Sequence, residues 1–181
     1  MSDLPSDVEA RDLLLSDSST LINFLRIGRR DLLARLPYRL LVTDVVRQEI
    51  RERYQSDELE EALAQGEFSE VALSDIPDLQ AAAQFVAQGL GAGESFSIVA
   101  AHKHGAILAI DDRTARNKAL GQYPSLTCVS TQDLVLANIQ QGTLTVAEAD
   151  AIKELWQNQH RFTLKLTSFT DLLNPPDPPT R

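Results

Sequence analysis

Short apolar runs alternate with amphipathic stretches along most of this chain. Residues 12–16 (DLLLS), 38–42 (YRLLV), 68–73, 107–110 and 126–129 (LTCV) are too short for a helix wetted on one side. They suit strands, and the most apolar of them suit strands buried on both faces of a parallel sheet. Between them the period changes to that of a helix. Leu21, Phe24 and Leu25 recur at helical spacing in SSTLINFLRIG, which closes on Gly28. A second short helical piece, 30–36, ends at Pro37, and Thr43 suits the N-cap of a helix over 44–54. Helices are also predicted over 56–64, over 77–88, from Glu94 onward, after Asp112, and over 131–140. The pair Thr145 and Glu148 has capping-box spacing and opens a helix to Gln157. This alternation predicts an α/β domain with a largely parallel central sheet.

A chain of 181 residues with 43% hydrophobic residues is expected to bury one core. No run approaches the roughly 18 apolar residues of a membrane span, and MSDLPSDVEA has no signal-peptide pattern. The single Cys128 excludes an internal disulfide and fits a reducing compartment, so the expected location is the cytoplasm, with no membrane association. With one Cys and three His, a zinc site is poorly supplied, and any metal is expected to be hard and bound through oxygen.

The net charge of −9 argues against a protein that coats nucleic acid, yet the charges are unevenly placed. From Arg26 to Arg53 there are eight basic residues against four acids; from Tyr54 to Asp112 there are eleven acids and only Lys103. One segment has the charge to hold a polyanion and another to hold cations, although solvated helix faces account equally well for the Arg cluster.

The candidate chemistry lies at the strand ends. Asp17 follows the first strand, and Asp111 and Asp112 follow the strand at 107–110. Parallel strands place such residues at one edge of the sheet, the edge where α/β folds bind ligands. Glu94 opens a helix after the glycine-rich turn at 89–93 and is expected to lean toward the same edge. Glu49 shares a helix face with Val45, Val46 and Ile50, so it is either paired with an Arg or directed into the acidic cluster. Clustered carboxylates repel and raise one another's pKa, and Mg²⁺ or Mn²⁺ relieves that repulsion. Ser18, Ser19 and Thr20 read as caps of the following helix.

The strings DSSTLINF, VVRQEI, GAGESFSIVAA and AIDDRTARNKA, in this order, resemble the PIN-domain nucleases, in particular a prokaryotic toxin-like branch similar to VapC-type toxins. The resemblance implies a PIN-like three-layer α/β/α domain with a mainly parallel central sheet, over residues 11–142. It also implies an endoribonuclease dependent on Mg²⁺ or Mn²⁺, often a homodimer and often the toxin half of a toxin–antitoxin pair, with RNA as substrate and a small antitoxin as partner. By matching motif, Asp17, Glu49, Glu94 and Asp111 or Asp112 are the catalytic acids. Asp17, Glu49, Glu94 and Asp112 are the expected metal ligands, and Ser19 is a supporting hydroxyl. The third acid is Glu where the family more often has Asp. Arg113 and Arg116, just past the aspartate pair, are candidates for RNA binding. Residues 1–10 read as an N-terminal extension, 143–173 as a C-terminal helical extension packed on the same domain, and 174–181 (NPPDPPTR) as a disordered Pro-rich tail. A haloacid-dehalogenase-like phosphatase needs a second Asp where Ser19 stands, and a receiver domain carries its adjacent acids after the first strand. A PIN-like scaffold that only binds RNA or a partner is the non-enzymatic alternative.

Overall fold

The computed structural model describes residues 12–173; the extension expected at 1–10 and the tail expected at 174–181 lie outside the described residues. Five strands form one sheet: β1 (Asp12–Ser16), β2 (Tyr38–Thr43), β3 (Phe68–Val71), β4 (Ile107–Ala109) and β5 (Cys128–Val129). Their order is β3-β2-β1-β4-β5, and every pairing is parallel.

Successive side chains of a strand point to opposite faces, which explains why the inner runs are apolar rather than alternating; the edge strand β3, reading FSEV, is not. Leu14, Leu40, Val42 and Ala109 enter one core, while Leu15, Leu41, Leu108 and Ile110 enter the other. The first core is closed by α1 (Ser18–Leu25), α2 (Asp31–Ala34), α3 (Asp44–Glu49), α4 (Arg53–Ala64), α8 (Thr131–Gln140) and α9 (Val146–His160). The second is closed by α5 (Ile76–Ala87), α6 (Ala92–His104) and α7 (Arg113–Gln122). The result is the three-layer α/β/α domain expected from the sequence. A short α10 (Thr170–Leu173), not foreseen, follows α9.

The strand order fixes where a site can lie. From β1 the chain moves outward through β2 and β3, then returns to the other side of β1 for β4 and β5. The helix after β1 packs on the first core and the helix after β4 on the second, so the chain leaves these neighbours in opposite directions. A crevice therefore opens at their C-terminal ends, the switch point of the topology. Asp17 and Asp111 stand there.

One helix differs from the periodicity. The helix expected over 44–54 stops at Glu49, and α4 begins at Arg53. Ile50 is extended (φ −81°, ψ 91°) and buried in the first core. Glu52 then accepts a hydrogen bond from the Gln55 N–H at 3.1 Å and caps the new helix. No Gly or Pro marks the break, and the apolar spacing runs straight through it.

The segment after Gly142 is built into the first core. Leu144, Ala149, Ile152, Trp156 and Phe169 are all buried there. Trp156 packs edge-on against Phe24 and Phe162, with ring centroids 5.6 and 5.5 Å apart, and its Nε1 donates to the Asn23 carbonyl at 2.7 Å. Trp156→Phe removes that donor and part of a filled volume while leaving a buried carbonyl unpaired. We expect a loss of about 1–3 kcal/mol of stability, read by denaturant unfolding followed by circular dichroism. A loss under about 0.5 kcal/mol would show that α9 is only loosely docked.

Candidate active site

The five acids singled out in the sequence reach the crevice by different routes. Asp17 follows β1 directly, and its N–H donates to the Ala109 carbonyl at 3.0 Å, which ties it to β4. It is itself the N-cap of α1: Oδ1 accepts from the Thr20 N–H at 2.8 Å. The hydroxyls of Ser18, Ser19 and Thr20 therefore do not cap the helix, because helical backbone begins at Ser18 and leaves the cap position to the carboxylate. Asp17 is fully buried, and its Oδ2 has no hydrogen-bond partner. Burial pushes its carboxyl up to about 7, hydrogen bonding from Thr20 opposes the rise, and the charges of Asp111 and Glu94 add to it.

Asp111 is the most heavily held of the group. Its Oδ1 accepts from the Thr131 N–H at 2.8 Å, and its Oδ2 from Thr131 Oγ1 at 2.6 Å and Asn23 Nδ2 at 3.1 Å. These bonds join the end of β4 to the start of α8 and to the C-terminal half of α1. Asp112 is the N-cap of α7, accepting from the Ala115 N–H at 2.7 Å through Oδ1. With Asp111 and Ser19 it lines an open groove.

Glu94 lies in the first turn of α6, half-buried, where its Oε2 accepts from the Gly91 N–H at 3.0 Å. Glu49 closes α3 and is exposed. The sequence left it a choice between an Arg partner and the acidic cluster, and among the described residues no Arg meets it. Its Oε1 accepts from the Gly93 N–H and its Oε2 from Ser18 Oγ, each at 2.7 Å. A Cβ on Gly93 would lie 2.1 Å from Glu49 Oε2, so the approach of Glu49 requires glycine at that position.

Glu49 is thus linked to the residues beside Asp17 and Glu94, and Asp17 feels the charges of Glu94 and Asp111. Among the described residues, no Lys or Arg pairs with any of the five acids. Among the described residues there is also no group of three or more His, Cys, Asp or Glu side chains already arranged to hold a metal ion. The donor set is nevertheless all oxygen, and a buried carboxylate oxygen without a partner fits a hard cation.

Ser19 is exposed in the groove, whereas the hydroxyl that bonds an acid is that of Ser18. Sequence reasoning took Ser18 for a cap and passed over Gly93, Asn23 and Thr131. For Ser18, Gly93 and Thr131 the available signal was position, since each sits at a helix start beside or facing an acid; Asn23, in the second half of α1, carried none. Arg113 is exposed at the start of α7. Arg116 is engaged internally, donating to the Cys128 carbonyl at 2.7 Å with Asp133 at 4.0 Å.

A family model described as a PIN domain, DUF3368, matches residues 13–170. No curated protein matches the chain significantly. Among solved structures, the crystal structure of PAE2754 from Pyrobaculum aerophilum is similar, with 18% identity and a TM-score of 0.49, covering 77% of this chain and 98% of that one.

The raised pKa of Asp17 has a definite sign in stability. The folded state binds this proton more tightly than the unfolded chain does, so the benefit is complete below the ordinary value of 3.8 and is lost as pH rises toward about 7. In chelator-containing buffer, we expect wild type to lose a few kcal/mol over that interval relative to Asp17→Asn, which keeps a capping oxygen but cannot ionise. Denaturant midpoints of the two proteins from pH 4 to 8 read this directly. Parallel profiles would mean that Asp17 ionises without cost.

Proposed function

Since the chain belongs to the PIN-domain family, a fold used generally by nucleases and generally with divalent metals, we propose that it is an endoribonuclease dependent on Mg²⁺ or Mn²⁺ that hydrolyses RNA phosphodiester bonds. The observation that carries this reading is a set of acids at the switch point of a parallel sheet with no protein cation among them, one buried with an oxygen unpartnered.

Asp17, Glu94 and Asp111 or Asp112 would hold the cation, with Glu49 beside them. A divalent ion there supplies positive charge that polarises water and the attacked phosphate. The chain's own residues do the rest. Thr131 and Asn23 fix the plane of the Asp111 carboxylate. Ser18 and the Gly93 amide hold Glu49 at the crevice while leaving it exposed to solvent. Burial raises the pKa of the Asp17 carboxyl to about 7, and its Oδ2, without a hydrogen-bond partner, would face the cation. Arg113, exposed beside Asp112, is placed to meet phosphate, and the internal bond of Arg116 favours a bracing role for that residue.

The resemblance to toxin-like members extends the proposal to the toxin of a toxin–antitoxin pair, a cytoplasmic homodimer neutralised by a small protein. Growth arrest on expression, relieved by the product of a neighbouring small gene, tests that extension. Among the described residues, no helix is long and apolar enough to cross a membrane. A second reading, RNA binding without hydrolysis, is favoured by one observation: no three-ligand cage is already formed among the described residues.

Two measurements separate the readings. In chelator, Asp17→Asn should be about 1 kcal/mol more stable than wild type near neutral pH, since one buried charge is removed. With Mg²⁺ or Mn²⁺ at about a hundred times its dissociation constant, wild type should gain about 2.7 kcal/mol and the variant much less, reversing the order, while RNA cleavage is lost in the variant. No reversal and no cleavage by wild type would establish the binding-only reading. Gly93→Ala should stay within about 1 kcal/mol of wild type, because the clash is with the end of an exposed side chain, yet cleave RNA at least tenfold more slowly because Glu49 is displaced. Undiminished cleavage would remove Glu49 from the site.

A further inference from the structure

The acidic crevice opens onto a second groove. Arg26, His160 and Arg161 line both the groove that holds Ser19, Asp111 and Asp112 and a neighbouring one bounded by Tyr54, Gln55 and Gln159. Two guanidinium groups therefore stand where the grooves meet. Arg26 is braced by carbonyls, donating from Nε to Ile22 at 3.2 Å and from Nη1 to His160 at 3.3 Å. Burial lowers its pKa, as expected for a cation without a carboxylate beside it. Neither Arg26 nor Arg161 forms an ion pair among the described residues, whereas Arg29, Arg30, Arg35, Arg47 and Arg53 all do. The one acid in the second groove, Glu52, is occupied in capping α4.

The far side of this groove offers an aromatic surface. Tyr54 is 50% exposed, and its phenol lies across the Gly28 turn: a Cβ on Gly28, at φ +64°, would sit 2.8 Å from Tyr54 Oη. Unpaired guanidinium groups beside an accessible ring are the elements by which proteins hold single-stranded nucleic acid, through phosphate and base stacking. Arg161 has a further peculiarity. It caps α9 at φ 54°, the only described non-glycine residue with positive φ, at a position where glycine is the ordinary choice.

We propose that this second groove is a subsite for single-stranded RNA flanking the scissile phosphate, with Arg26 and Arg161 on the backbone phosphates and Tyr54 stacked on a base. The inference rests on the ribonuclease reading above and gives the segment after Gly142 a part in substrate binding. An acidic protein segment would also be drawn to the two arginines, but it has no use for a ring and would be repelled by the adjoining acids.

The test uses the full chain and a fluorescent, mixed-sequence oligoribonucleotide kept intact by chelator, with anisotropy titrations across a range of salt. Arg161→Gly suits the left-handed backbone and should fold. It should bind about five- to tenfold more weakly, with the log–log salt slope reduced by about 0.7, the share of one phosphate contact on a single strand. Tyr54→Ala should weaken binding about tenfold, while Tyr54→Phe stays within about twofold. Circular dichroism and melting temperatures establish that each variant is folded. If wild type binds this RNA and cleaves it once Mg²⁺ or Mn²⁺ is added, but the variants bind as wild type does, the subsite is wrong, the nuclease reading stands, and the cationic groove is left to an acidic protein partner. If wild type neither binds nor cleaves RNA, both readings fall together.

Discussion

Carboxylates gathered at one sheet edge repel one another, and the arrangement of this chain around its crevice follows from how that repulsion is contained. Neighbouring arginines are not the means. Asp17 is held by the Thr20 amide, Asp111 by Thr131 and Asn23, Asp112 by the Ala115 amide, Glu94 by the Gly91 amide, and Glu49 by Ser18 and Gly93. Four of the five are bonded by amides in the first turn of a helix, where the macrodipole also favours negative charge. Helix starts thus orient the acids without neutralising them. Ion pairs would have quenched the negative field of the cluster.

The arginines complete the same division. Arg30 is spread among Glu58, Glu61 and Glu67, and Arg47 lies between Glu60 and Glu70, so these positive charges are satisfied on the outer surface of α3 and α4. The exposed pairs of Arg47 add little stability, typically about 0–1 kcal/mol each. Their consequence is spatial. The excess of arginine between Arg26 and Arg53 does not form a basic face for polyanions, and the guanidinium groups without carboxylate partners near the crevice are few and specifically placed. A chain of net charge −9 can then present cationic groups beside its acidic centre without coating itself in nucleic acid.

Much of this was legible in the sequence, for identifiable reasons. The inner strands were visible because a sheet covered on both faces needs continuous apolar runs, while the edge strand β3, with Ser69 and Glu70, was marked only by its apolar ends. Asp17 and Asp111 were placed by the rule that parallel strands end at one edge. Glu94 was readable from the glycines before its helix. What could not be read depends on contacts across the fold. The break at Ile50 has no Gly or Pro to announce it; it exists because Ile50 is drawn into the core and Glu52 caps the next helix. Nothing local distinguishes Ser18 from Ser19, yet only Ser18 reaches Glu49, 31 residues away. Gly93 looks like one more turn glycine, and its need for an absent side chain appears only when α3 is brought against α6. Arg161 carries no signal at all, because an arginine at a helix end is unremarkable until its backbone is seen.

The bond from Trp156 to the Asn23 carbonyl also bears on the order in which the protein is made. Translation delivers Asp17, Glu49, Glu94, Asp111 and Asp112 first, and Thr131 soon after, so the acids and their braces can assemble while the chain is still growing. Trp156, His160 and Arg161 emerge later, and with them a wall of the first core and the rim of the groove; Phe169, buried in the same core, follows them. A nascent chain that ends before α9 carries its full complement of acids on an unfinished core. The rim of the groove and the last parts of the first core are thus both made after the acids are in place.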